Sequence, residues 1–585
     1  MSGLQLLSNG RYRVLLSGQG GGGSFLGPIA LTRWTQDGTR DAEGFFLYIR
    51  DLDSGALWSA GHQPVLHPAS RYQTRSGPGA AEIIREDAGI ESRLQVGVDP
   101  QRDLELRRLT LINRSGEARR LEVTSYVEVC LNHPAADASH PAFSKLFVQT
   151  EYHRATQALL ARRRPRSPEE PWYWMGHGLW VTGGKRNAAP EHETDRARFI
   201  GRGRTTANPA ALQPGGTLSG TTGNVLDPVF AIRRVVTLAP GAEATLVALL
   251  TAGLERDALA SLLTQQEAER APALLADSHT GAAAVLEAAG ISSSWRQRLP
   301  WLIDALHHGG MSPRLGIELP GKSPLVPGDL RALGLTGSLP LVVASVENPG
   351  QVAELEQLSR VVRWWRESGI EVDLLVLTAP DTHVSGIGEL AHIAGASRTV
   401  VHEAAALSRE QYQVIERFAR LTLSQATAHR PGPVVPQPVV YHPVEPTTHS
   451  TSRGLTQESL LQFNGIGGFS SDGSEYVIRM PGGRQLSFPP LPWTNCIANE
   501  ELGFIASERG LTNAWSANSR ENRLTPWSND PVSDAPTQAI YLRCEDSQRY
   551  WSPTPAPAPG GGDYETRHGF GYTTWSHTYD GLRQE

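Results

Sequence analysis

Residues 31–59, "LTRWTQDGTRDAEGFFLYIRDLDSGALWS", lie over residues 524–552, "LTPWSNDPVSDAPTQAIYLRCEDSQRYWS", at a constant offset of 493 and without a gap. Twelve of the 29 positions are identical, where ordinary composition gives roughly two by chance. A repeat of this kind means that one domain type occurs twice. The chain of 585 residues is in any case too long for a single core.

The repeated type is β. Short runs rich in β-branched and aromatic residues, "RYRVLL", "GFFLYIRDL", "RLEVTSYVEVCL", "AFSKLFVQTEY" and "ATLVALLTAG", alternate with turns up to about Leu254. The 59 Gly and 41 Pro fit many turns better than long helices. Sandwich packing of two sheets follows from so many strands. The expected order is a first β-sandwich over 1–254, a helical linker over 255–335 and a small α/β module over 336–425. A Pro-rich linker over 426–455 and a second, incomplete β-sandwich over 456–585 complete it. In the linker, "ERDALASLLTQQEAERAPALLADSHTGAAAVLEAAG" reads as one helical stretch. In the module, "LPLVVASV" and "IEVDLLVLT" are expected to be buried strands, and "RTVVHE" continues the alternation. "QVAELEQLSRVVRWWRESG", "SGIGELAHIAG" and "SREQYQVIERFARLTL" supply the alternation of a parallel sheet.

Composition excludes several classes of function. A net charge of -6 argues against nucleic acid as the main partner. The N-terminal residues lack the pattern of a signal peptide, and no apolar stretch approaches the ~20 residues that span a bilayer. A soluble, cytoplasmic chain is expected. Cys130, Cys496 and Cys544 are too few and too far apart for a disulfide framework or a zinc cluster, and are expected to be buried reduced thiols.

Motif by motif, the structural reading outweighs the catalytic one. Gly18, Gly20 and Gly23 spell G-x-G-x-x-G, but Gly27-Pro28 follows where a dinucleotide site needs a helix to start. His402 and Glu403 have Ala406 where a zincin needs its second His. His133 and His140 have no third His near them and only one thiol, Cys130, so turn and strand-edge positions are expected. "ARRRPRS" (161–167) is a basic run of the kind usually found on a solvated loop; an anionic ligand such as phosphate is the minor reading. No metal, cofactor or catalytic residue is assigned.

The candidate site is the stretch "NSRENRLTPWSNDPVSD" (518–534), with five Asx residues, two arginines and one Trp. Pro526 and Pro531 bar a helix through it. Trp515, Arg520, Asn522, Trp527, Asn529 and Asp530 have the make-up of a sugar contact. Forked donors and acceptors suit vicinal hydroxyls, and an indole face packs on a pyranose ring. The competing expectation is an Asx turn that satisfies its own backbone, with Arg on Asp and Trp filling a hole.

Five segments together carry a resemblance: "NGRYRVLLSGQGGGGSFLGPIALTRW", "TRDAEGFFLYIRDLDSGALWS", "HPAFSKLFVQTEY", "ETDRARFIGRGR" and "NSRENRLTPWSNDPVSD". They resemble the cyclic β-1,2-glucan synthases and the glycoside hydrolase family 94 phosphorylases, formerly glycosyltransferase family 36. The resemblance implies a large supersandwich of galactose-mutarotase-like type, a helical linker and an (α/α)6 barrel that carries inverting phosphorolysis on one general-acid Asp. It also implies a β-glucan or oligosaccharide as partner, and relatives of the synthase type that sit in the inner membrane. No residue matches the catalytic Asp. The expectation is therefore a non-catalytic sandwich region whose barrel lies on a missing or separate segment. The rival expectation is a purely structural assembly platform with no ligand of its own.

Overall fold

The computed structural model describes residues 3–183, 189–308, 325–379, 395, 398–424, 459–482 and 486–585. Two compact units emerge. The first holds Met1–Asp195 and Thr217–Pro438, the second Arg196–Gly216 and Val439–Glu585.

In the first unit two antiparallel sheets enclose one core. Gln5–Ser8, Tyr12–Leu16, Gly22–Leu26, Ile29–Thr32, Arg119–Asn132, Pro228–Leu238 and Glu191–Asp195 run in that order through a nine-stranded sheet. Phe46–Asp51 pairs with Arg119–Asn132 and carries Leu57–Ser59 beside it. The second sheet has eight strands, ordered Val148–His153, Ala158–Arg163, Trp174–Gly183, Glu243–Gly253, Leu104–Asn113, Ile90–Val98, Ala80–Asp87 and Arg71–Gly77. Strand alternation sends Leu121, Val123, Val127 and Val129 into the same core as Leu109, Leu111, Leu246 and Ala248. The intervening residues face the other way. Among them Glu122 takes Arg50 at 2.8 Å and Arg233 at 3.4 Å.

The other face of the eight-stranded sheet is covered by helix. Leu104, Leu106, Leu160 and Leu249 pack against Leu263, Ala268, Ala271 and Leu274. The single helical stretch expected here is three helices, Arg256–Leu262, Gln265–Glu269 and Ala271–Ala288. Thr264 breaks the run: its hydroxyl accepts the Glu267 N–H at 3.1 Å and starts a new helix.

A four-stranded parallel sheet follows, in the order Arg398–Glu403, Asp373–Thr378, Leu341–Val346 and Ala419–Thr422. The continuous apolar runs of the two central strands, Leu341–Val346 and Asp373–Thr378, are explained by burial on both faces, whereas the edge strand Arg398–Glu403 is exposed or half-buried. Val342, Ala344, Leu374 and Val376 join helix Pro349–Glu367, helix Leu299–His308 and the sandwich residues Leu4, Leu6 and Leu15. Val343, Leu375 and Leu377 face Leu330, Leu333, Val414 and Ile415. Asn348 and Gln351 form a capping box at the start of Pro349–Glu367. "SGIGELAHIAG", apart from Gly395, and the Pro-rich linker lie outside the described residues.

The second unit has a five-stranded sheet, ordered Gly467–Phe469, Glu475–Met480, Tyr564–Gly569, Tyr572–Tyr579 and Leu582–Gln584. Beside it are a three-stranded sheet of Thr494–Ala498, Leu502–Ser507 and Gly510–Ser516, and a two-stranded pair. Among the described residues one apolar cluster of this unit gathers Ile478, Met480 and Tyr564, with Leu486, Phe488 and Trp493 packed against it.

Some local expectations are corrected. "AFSKLFVQTEY" is not one strand: Pro141–Lys145 is a short helix, begun by Pro at its first position, and the strand starts at Val148. The cysteines are not all buried. Cys130 is, but Cys496 is exposed and Cys544 half-buried. Cys496 sits on Thr494–Ala498, the edge strand of its sheet, where one face stays open. The glycines of "GQGGGG" serve close packing: a Cβ on Gly22 would lie 1.9 Å from the Leu15 carbonyl oxygen of the paired strand. Among the described residues no helix is long and apolar enough to cross a membrane.

A candidate site on the repeated turn

The two copies of the repeat build the same turn. Gln36 and Asn529 occupy equivalent positions, and both have positive φ, 60° and 47°. Asp41 and Asp534 do so again, at 46° and 43°. In each copy the second Asp donates its N–H to the carbonyl of the first, Asp41 to Asp37 and Asp534 to Asp530, both at 2.9 Å. The first Asp also caps the turn with its carboxylate, which accepts from Thr39 N at 3.0 Å in one copy and from Val532 N at 2.9 Å in the other. A serine hydroxyl holds the second Asp, Ser17 to Asp41 at 2.5 Å and Ser507 to Asp534 at 3.0 Å. The distant tryptophans of the repeat, Trp58 and Trp551, are both buried.

What surrounds the turn differs between the copies. In the second unit it is clasped by arginines. Arg196 donates to Asp530 through two nitrogens, at 2.9 and 3.0 Å, and reaches the Ser533 hydroxyl at 3.3 Å. Arg202 bridges Glu508 at 2.6 Å and Asp534 at 3.0 Å. Gly203 N donates to Val532 O at 2.7 Å, and Arg509 donates to the Ser533 carbonyl. Phe488 lies under both guanidinium groups, 4.8 Å from Arg509 and 5.9 Å from Arg202. Burial lowers Arg509 to about 10, against the pull of Asp534; burial also raises Glu508, with Arg202 opposing it. Bidentate Arg–carboxylate geometry of this kind fixes position as well as charge.

In the first unit the equivalent turn faces histidines. Trp34 packs edge-on to Phe25 and against His307 and His308. The neighbouring Arg33 pairs with Asp137 at 3.0 Å and Glu128 at 3.2 Å. Burial raises Asp41 to about 6, the Ser17 hydroxyl and His308 working against it.

The six sequence candidates separate into two groups. Trp527, Asn529 and Asp530 share the turn. Trp527 is half-buried under the Arg523 guanidinium, 5.4 Å from its ring centre. Asn529 is exposed, and the Asp530 carboxylate is held by Arg196. Trp515, Arg520 and Asn522 lie on the preceding hairpin. Trp515 is half-buried, with its ring where a Gly503 Cβ would be. Asn522 is exposed, with its backbone closed onto Ser516 and Asn518. Arg520 has an 84% exposed side chain beside Glu521. The Trp515–Arg523 bridge joins the two groups.

Sequence reasoning missed Arg196, Arg202, Glu508, Arg509 and Asp534. The motif "ETDRARFIGRGR" contains the first two, but nothing local indicates that its partner lies 334 residues away. The other motifs hold structural places. His140 Nδ1 accepts Phe143 N at 3.3 Å as a helix cap, and His402 Nε2 meets Leu333 O at 3.1 Å at a strand end. Among the described residues no group of His, Cys, Asp and Glu is arranged to hold a metal ion.

A chain with this turn in both of its units has a match among known families. Residues 2–269 and 474–585 match the supersandwich domain of glycosyl hydrolase 94, and the chain belongs to that family. It is 31% identical to the cyclic beta-(1,2)-glucan synthase NdvB of Rhizobium meliloti, over 99% of this chain and 21% of that protein. It is 26% identical to the N,N'-diacetylchitobiose phosphorylase of Vibrio proteolyticus, over 40% of this chain and 29% of that one. The chain thus spans about a fifth to a third of these relatives. Among solved structures, a bacterial glucoamylase complexed with acarbose aligns with 53% of the chain and 40% of its own, at TM-score 0.35 and 8% identity. A galactose mutarotase-like protein from Clostridium acetobutylicum aligns with 42% of the chain and 94% of its own, at TM-score 0.21 and 7% identity.

Proposed function

We propose that this chain is a non-catalytic, carbohydrate-binding part of a cyclic β-1,2-glucan synthase-like protein of family 94, and that it positions β-glucan or oligosaccharide for a catalytic barrel carried elsewhere. One observation carries the reading. On the repeated turn Asn529 is exposed two residues from the half-buried Trp527, and on the preceding hairpin Arg520 and Asn522 are exposed, so donors and acceptors face solvent on both segments. Arg520, Asn522 and Asn529 would bond sugar hydroxyls. Trp527 and Trp515 would pack on ring faces, and Asp530 would share its carboxylate between sugar and Arg196. No cofactor and no catalytic residue belong to this reading. Titration of the chain with β-1,2-gluco-oligosaccharides tests it, with saturable binding expected in the wild type and weakened binding in Asn522→Ala.

A second reading has its own observation. Asp530 and Asp534 are already engaged by Arg196 and Arg202, and Arg523 covers a face of Trp527. On that reading the turn is an assembly clasp, and the same titration gives no binding.

A further inference from the structure

The basic run "ARRRPRS" belongs to a surface patch that the functional reading leaves unused. It lies at one end of the edge strands of the eight-stranded sheet, where Arg164 N donates to Phe147 O at 2.8 Å and Arg163 N to Tyr173 O at 3.0 Å. That pairing sets Phe147, Arg164 and Trp172 side by side, with the short helix Pro141–Lys145 leading in. Three large apolar side chains stand out into solvent here: Phe143 is 44% exposed, Leu146 51% and Trp172 45%. Arginines are interleaved with the rings. Arg162 lies 5.1 Å from the Trp172 centre, Arg164 5.4 Å from Phe147, and Arg166 5.6 Å from Phe143.

We propose that this patch docks on the surface of an anionic lipid bilayer. Its charge is opposite to that of the whole chain, which carries -6. Arg164 and Arg166 are exposed and free to meet lipid phosphates. Acidic neighbours are few: Glu170 pairs with the buried Arg163 at 3.8 Å and accepts Arg166 N, and Glu169 is exposed. Protruding Phe, Leu and Trp suit the headgroup–acyl boundary, where indoles settle and arginines keep their charge in water. A nucleic acid would leave Leu146 unused. A sugar would find the ring faces already covered by guanidinium groups.

Flotation of the whole chain with phosphatidylcholine vesicles, with and without phosphatidylglycerol, tests the proposal. Binding is expected only to the vesicles containing phosphatidylglycerol, and it falls as salt rises. The pair Arg164→Glu and Arg166→Glu is expected to weaken it by more than about tenfold. Phe143→Ser with Trp172→Ser is expected to weaken it while leaving the salt dependence in place. Arg164→Lys with Arg166→Lys keeps the charge and is expected to keep binding, which guards against loss through misfolding. Thermal melts of every variant should match the wild type. Failure to float with the anionic vesicles at low salt would overturn the proposal and reassign the patch to a protein partner. Equal binding to both vesicle types, or binding undiminished in the two weakening pairs, would overturn it as well.

Discussion

Two arginines of the candidate region, of the same chemistry, stand in opposite environments. Arg196 is buried and bidentate on Asp530, and Arg520 is solvated beside Glu521. Arg196→Ala removes the bidentate partner of Asp530 and should destabilise the second unit by about 3 kcal/mol, read from a denaturant titration. Arg520→Ala should leave stability within about 0.5 kcal/mol and lower glucan affinity by about 1–3 kcal/mol. If Arg520→Ala unfolds the unit while the folded fraction keeps its affinity, the loop is structural. A further residue-scale effect sits in the first sandwich core. His177 is fully buried, with Nδ1–H donated to Leu249 O at 2.9 Å and Nε2 against the Ser125 hydroxyl at 2.7 Å. Burial lowers its pKa from 6.5 to about 4. A depressed base favours the fold above the unfolded value, and that contribution is lost as pH falls through the folded one. Unfolding midpoints should therefore drop between pH 6.5 and about pH 4, and His177→Gln should flatten that part of the profile.

At the scale of elements, the turn is where sequence and structure meet best. The repeat predicted one domain type used twice, and matching positive φ values at Gln36 and Asn529 show the turn conserved in backbone as well as in letters. Its Asx chemistry was legible because capping is local: Asp530 bonds residues two and three ahead. The clasp was not legible. Arg196 and Asp530 are brought together by the fold, and a pairing 334 residues apart leaves no periodic trace. The broken linker helix failed to show for a different reason, since an Ala- and Leu-rich composition outweighed the cap at Thr264. Asn529→Gly separates backbone from side chain at the turn. Glycine tolerates φ 47° without strain, so stability should hold within a few tenths of a kcal/mol, measured by thermal melt. Glucan affinity should still fall, because the exposed amide is gone.

Across the whole molecule the two units differ in how much they bury. Among the described residues, the first sandwich closes two sheets on one large cluster, whereas the second unit gathers a smaller one of Ile478, Met480 and Tyr564 with Phe488 and Trp493 against it. Exposed large apolar residues also crowd into the second unit, including Phe463, Leu491, Ile540 and Phe570. Apolar burial at about 25 cal/mol per Å² is what offsets chain entropy. Amides of 459–585 should therefore exchange faster than those of 3–183, and equal protection would show that polar clasps such as Arg196–Asp530 compensate for the small core. The central claim, that the chain holds β-glucan without transforming it, is tested most directly by calorimetric titration with β-1,2-gluco-oligosaccharides while free phosphate is followed. Saturable heat with no change in phosphate or in glucan length, and weaker binding in Asn522→Ala, is the predicted result. Absence of any binding heat, or turnover above a heat-killed control, would contradict it.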